Sequence, residues 1–231
     1  PAPQPPEVKR LRLNLNLKRG EYERIYEAYQ RDASLFQGES ELILGASQGA
    51  LALKAYDEAL GLLSHLHSLE ENKPEQYYFS ALAYWGLKEN EKLEAVLADA
   101  VRWAEQAKDS PWSGRIHLLK VYHHLNQKAY DLAFAGMGDL FDNNTDLALL
   151  AVTWGYFKLG AAGNLFSVLQ ALDASQEQSP YHSQIYRILS RFLIEEGNLP
   201  GAIEMDQRER NELRKQMDLL EKETEMLRRG I

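Results

Sequence analysis

Arg19-Gly20-Glu21-Tyr22-Glu23-Arg24-Ile25 and Leu53-Lys54-Ala55-Tyr56-Asp57-Glu58-Ala59 decide the reading of this chain. In each, a turn is followed by an aromatic residue and then by a small or aliphatic residue a few places into a helical run. Asn126-Gln127-Lys128-Ala129-Tyr130-Asp131-Leu132-Ala133 has the same form, Glu196-Gly197-Asn198-Leu199-Pro200-Gly201-Ala202 has it with Leu199 in place of the aromatic, and Glu89 to Ala95 is a poorer copy. Aligned this way, the corresponding positions are Ile25, Ala59, Ala95, Ala133, a site near Val168, and Ala202, separated by 34, 36, 38, about 35 and 34 residues. Breaks rich in turn-forming residues fall between the copies at Gln37-Gly38, Glu71 to Pro74, Asp109 to Pro111, Asp142 to Asn144 and Ala174 to Pro180. Each block therefore reads as two helices of about 12–16 residues joined by a tight turn.

A small residue stands 12 positions ahead of the alanine site at Ser47, Ala83 and Ser190, where it lets two helices approach to about 8–9 Å. On these residues the chain resembles the tetratricopeptide repeat family, whose unit has a small residue in its first helix, a turn glycine, an aromatic two residues on and an alanine early in its second helix. The copies depart from that pattern: Val121 replaces the small residue, several turns lack glycine, and Thr153 to Ala171 fits only with a shift. The resemblance implies an all-α fold, a right-handed α-solenoid of five to six antiparallel helix hairpins with a long C-terminal helix. It also implies a non-catalytic scaffold whose first helices line a concave groove for a partner protein or peptide. Mapped by phase, the groove residues are Gln48, Tyr77, Tyr84, Arg115, Tyr122, Phe157, Arg187 and Arg191. Aromatic rings and guanidinium groups are the side chains that anchor interfaces.

The two ends differ from the middle, so residues 1–7 are read as a proline-rich linker, 8–203 as the repeat domain and 204–231 as an extended helix. The opening Pro1-Ala2-Pro3-Gln4-Pro5-Pro6 has the composition of a spacer behind an anchor, and it favours a bacterial envelope assembly as the setting, with the cytoplasm as the alternative. Leucines at 11, 13, 15 and 17 alternate as in a strand that joins an outside sheet, or lie on two faces of a helix sandwiched between neighbours. Leu213, Met217, Leu220 and Leu227, with Thr224 in the seam, form a short heptad stripe that either packs in cis or pairs with a second copy of the chain or a partner helix.

Composition narrows the chemistry. The formal charge of −8 over 231 residues argues against nucleic acid as a partner, although five cations and one carboxylate give residues 1–20 a local balance of +4. No cysteine exists to form a disulfide, a thiolate site or a nucleophile, and no apolar run reaches the length of a membrane span. Gly45-Ala46-Ser47-Gln48-Gly49 is a literal G-x-S-x-G behind the apolar Leu42-Ile43-Leu44, the signature of a serine hydrolase elbow. Ser47 is also in phase with the repeat, so helix packing is the expected role, and hydrolysis through Ser47 is the competing one. The histidines at 65, 67, 117, 123, 124 and 182 lack metal-ligand spacing, and no phosphate-cradling glycine motif occurs, so no metal or cofactor is expected. Asn143-Asn144-Thr145 is formally a glycosylation sequon.

Overall fold

In a computed structural model the chain is all-α: the described residues form twelve α-helices and a 3₁₀ turn, with no strand among them. The structure describes residues 5–69, 73–106, 110–143, 145–174, 179 and 181–229, and only the backbone at 111, 141–143, 145, 162, 166, 171, 173, 174, 223, 224 and 226–229. Residues 1–4 of the proline-rich opening, Asn144 of the sequon, and the side chains of Thr224 and Leu227 thus lie outside what is described. The helices are α1 (Pro6–Lys18), α2 (Tyr22–Arg31), α3 (Ser40–Ala52), α4 (Tyr56–Leu69), α5 (Pro74–Leu87) and α6 (Asn90–Gln106), then α7 (Pro111–Asn126), α8 (Tyr130–Asn143), α9 (Thr145–Leu159), α10 (Ala162–Ala174), α11 (His182–Glu195) and α12 (Leu199–Arg229). The 3₁₀ turn, Ala33–Phe36, leads into α3.

The same turn joins these helices two by two. Gly20, Lys54, Lys88, Lys128, Gly160 and Gly197 all adopt left-handed backbone, with φ between 59° and 77°. At each, the amide of the left-handed residue donates to the carbonyl three residues back, and the next amide donates to the carbonyl five residues before itself, all at 2.8–3.1 Å. This is the Schellman arrangement, which satisfies carbonyls that a helix end would otherwise leave bare. The residue after the left-handed one then starts the next helix, because its own carbonyl accepts the amide four residues on, at Ile25, Ala59, Leu93, Ala133, Leu165 and Ala202. One residue therefore ends one helix and opens another. Alanine in place of Gly20, Gly160 or Gly197 is expected to cost about 1 kcal/mol each, since an added Cβ disfavours this region. Lys54, Lys88 and Lys128 already bear that strain, so alanine there should change urea-unfolding stability by only a few tenths of a kcal/mol, the worth of a cation near a helix C-terminus.

Counted from the turn, the helix pairs share a core register. The residue five after each left-handed position is 0–3 % exposed in all six pairs: Ile25, Ala59, Leu93, Ala133, Leu165 and Ala202. The residue seven before it is 0–4 % exposed: Leu13, Ser47, Ala81, Val121, Thr153 and Ser190. Two of the positions aligned from sequence shift accordingly. Leu93 rather than Ala95, which is exposed, occupies the packing site of the third pair, and Leu165 rather than Val168 that of the fifth.

The chain divides into two compact units, Pro1–Ile116 and His117–Ile231, with the boundary inside α7. The first has a core around Ile25, Phe36, Ile43, Ala59 and Leu62, and another in which Ala100, Val101 and Ala104 of α6 meet Ile116 of α7. The second has a core of Val121, Leu125, Met137, Leu140 and Leu147, and another of Leu165, Ile185, Leu189, Phe192 and Met205. Among the described residues no helix is long and apolar enough to cross a membrane.

Residues 10–17 are helical. Pro6 sits where a helix tolerates proline, and Arg10 donates to the Leu35 carbonyl at 3.2 Å while Lys9 meets Asp32 at 3.5 Å. The alternating leucines do lie on two faces: Leu13 and Leu17 turn into the core, whereas Leu11 and Leu15 are exposed instead of sandwiched.

Candidate functional site

Six residues before the left-handed position, the first helix of a pair carries Tyr122 in α7, Trp154 in α9 and Arg191 in α11. In the second unit the fold brings these three helices together, and the side chains form a strip. The Tyr122 ring lies 6.1 Å from that of Trp154, which stacks on Phe157 at 5.3 Å and 25°. Lys158, one turn beyond Trp154, places its ammonium 4.9 Å from the indole centroid, and the Arg191 guanidinium lies 5.4 Å from the Phe157 centroid. Phe157 also meets Phe192 edge-on at 6.5 Å.

Each cation over a ring contributes about 0.5–1 kcal/mol at an exposed site, and more when a ligand excludes water. The rings are half-buried and so are fixed on one side by the helices beneath. Arg191 is shared with Glu195 at 3.3 Å, an exposed pair one helical turn apart that adds little. The result is an apolar, π-rich surface with positive charge at Lys158 and Arg191. It suits a segment carrying carboxylates together with apolar or aromatic side chains.

Of the residues expected from sequence, Tyr122, Phe157 and Arg191 meet in this strip. The remaining five are placed elsewhere. Gln48 is half-buried in α3. Tyr77 in α5 packs against the Ala100–Ile116 core, and Tyr84 in the same helix receives Lys92 of α6 at 5.7 Å. Arg115 lies 4.8 Å over Trp112, which belongs to a second aromatic group with Tyr78 and Phe79 at 5.4 and 5.7 Å. Arg187 is engaged by Glu209 of α12 at 2.5 Å. Trp154, Lys158 and Trp112 went unread in the sequence. Trp154 has the phase of Tyr122 and Arg191, a signal concealed by the slipped register of the fifth pair.

The G-x-S-x-G segment lies within α3. Residues 42–44 are helical rather than extended, and Ser47, 0 % exposed, donates its hydroxyl to the Leu44 carbonyl at 2.7 Å. Its glycines serve close approach: a Cβ at Gly45 would lie 2.8 Å from Leu17 Cδ1, and one at Gly49 would fall on the Tyr22 carbonyl. His65 and His67 are exposed, while His117, His123 and His182 are buried. Among the described residues no group of three or more His, Asp or Glu side chains is placed to hold a metal ion.

In α12 the early turns pack on α11, with Ala202 and Met205 buried and Asp206 accepting from Ser190 at 2.5 Å. Further along, Leu213, Met217 and Leu220 are exposed. The chain matches no family model, and no curated protein matches it.

Proposed function

We propose that this chain is a non-catalytic scaffold, a right-handed α-solenoid of six antiparallel helix pairs similar to tetratricopeptide repeats, that holds a partner protein or peptide against its first helices. The six equal turns and their common core register support the repeat reading. The strip of Tyr122, Trp154, Phe157 and Arg191 carries the functional one, because rings and cations from three successive first helices converge on one surface. The exposed Leu213, Met217 and Leu220 support a second contact through the C-terminal helix.

Peptides selected from a random library on the full chain, then titrated calorimetrically, test this reading. Trp154→Ala and Arg191→Ala are each expected to weaken binding about tenfold or more, the loss typical of an interface anchor. Gly61→Ala, remote in sequence on an exposed position of α4, should leave affinity unchanged. Equal affinities across all three variants would place the binding surface elsewhere.

A further inference from the structure

One edge of α12 is docked and the next is bare. The docked edge buries Ala202 and Met205, continues to Glu209, which holds Arg187 of α11, and reaches Gln216, whose amide nitrogen is enclosed. The helix is therefore fixed to its own unit as far as Gln216. Leu213, Met217 and Leu220 stand on the neighbouring face and are 38, 61 and 62 % exposed. Upstream that apolar seam stops at Asp206, which accepts from Ser190, and at the exposed Arg210.

With Leu213 and Leu220 at heptad position d and Met217 at a, Glu209 and Gln216 fall at g, and Arg214 and Glu221 at e. The g side of the seam is thus turned to the protein's own body, and the e side is exposed. Nearby charges of α12 are matched within the helix, Arg208 with Glu204 at 2.8 Å and Lys215 with Glu212 at 2.6 Å. Arg214 and Glu221 are the exception: neither makes a side-chain hydrogen bond or ion pair with a described residue. Seven residues, about 10 Å of helical rise, keep them from meeting each other. Two opposite charges therefore stand unmatched on the open side of an apolar seam.

We propose that α12 pairs antiparallel with α12 of a second copy of this chain, Met217 of each copy packing on Leu220 of the other and Arg214 of each meeting Glu221 of the other. This rests on the reading of Leu213, Met217 and Leu220 as a contact surface, and adds what occupies it. In an antiparallel pair a residues face d residues and e residues face e residues, so the two unmatched charges are satisfied twice over. Sliding the pair by one heptad sets Arg214 against Arg214 in one direction and Glu221 against Glu221 in the other, so charge selects the register. A parallel pair sets e against g. Arg214 would then meet Glu209, which Arg187 already holds at 2.5 Å, and Glu221 would meet the enclosed Gln216. Because α12 is already docked on α11, pairing orders little that is not ordered beforehand. The interface is isologous, so association closes at two copies.

Sedimentation equilibrium of the full chain at low salt, over a wide concentration range, tests the proposal. The intact protein should pass from one copy, 26.4 kDa, to two as concentration rises, and stop there. Arg214→Glu and Glu221→Arg should each raise the dissociation constant about tenfold or more, because each brings like charges together at both ends of the pair. Mixed one to one, the two variants should pair with each other, since one carries glutamate and the other arginine at both positions. The double variant Arg214→Glu/Glu221→Arg should recover the dimer of the intact chain. Both substitutions are at exposed positions, and circular dichroism checks that the variants fold. An intact chain that stays at one copy or grows past two, single variants that associate like the intact chain, or a mixture and double variant without recovery would each overturn the proposal. Library peptides that bind a chain held at one copy would sink this inference alone, whereas a dimer that binds no peptide would sink the scaffold reading and leave this one standing.

Discussion

Replacing Gly49 by alanine is expected to lower the free energy of unfolding by about 2–3 kcal/mol, a large effect for one methyl group in a helix. Elsewhere in a helix the same change stabilises by about 0.5–1 kcal/mol, because glycine gives up more backbone freedom on folding. At Gly49 that gain is overridden. The new Cβ would fall on the Tyr22 carbonyl oxygen, 2.7 Å from the carbonyl carbon and 2.8 Å from Tyr26 Cβ. A long side chain could swing aside, but the oxygen belongs to the backbone of α2 and can move only if α2 and α3 separate. That separation would open the buried contacts of Ile25, Tyr26, Ala46 and Ala50. Gly61 in α4 is the internal control, since nothing lies within 4 Å of the Cβ it would acquire. Urea unfolding of the two variants should therefore move in opposite directions. If Gly49→Ala proves neutral or stabilising, α2 and α3 do not approach as described, and the packing account of the G-x-S-x-G segment fails with it.

The sequence made the all-helical fold and the period legible because turns are written in local chemistry. Gly20, Gly160 and Gly197 announce left-handed backbone, and the aromatics Tyr22, Tyr56 and Tyr130 each stand two residues past a turn. What stayed hidden follows from lysine in the same conformation at 54, 88 and 128, where no glycine marks the register. The left-handed residues of the six pair-joining turns stand 34, 34, 40, 32 and 37 apart, by subtraction of their numbers, so the long third interval and the short fourth average to an ordinary period. An alignment made on alanines absorbs that unevenness by sliding to Ala95 and Val168. The slide removed Trp154 from the phase of Tyr122 and Arg191, and so removed the centre of the aromatic strip. The leucines of α1 pose a different difficulty. Their pattern supplies two apolar faces but does not say which one a neighbour covers, a question that only packing answers.

The corrected register makes its sharpest demand at Leu93 and Ala95. Leu93→Ala should cost about 3 kcal/mol, within the range for emptying a buried leucine site, whereas Ala95→Glu should change stability by less than about 0.5 kcal/mol. Leu93 is 1 % exposed, and its amide donates to the Glu89 carbonyl at 3.0 Å, so its backbone is fixed by the turn that Lys88 sets. A cavity there cannot close by sliding α6 along its axis without breaking the two turn hydrogen bonds to Trp85 and Tyr84. Ala95 is exposed, on the solvent side of the same helix, where glutamate is a good helix former and meets only water. An alignment of alanine with alanine requires the reverse order, with Ala95→Glu placing an uncompensated charge in a packed junction. Paired urea titrations of the two variants decide between these registers. A costly Ala95→Glu beside a mild Leu93→Ala would dissolve the common count from turn to core.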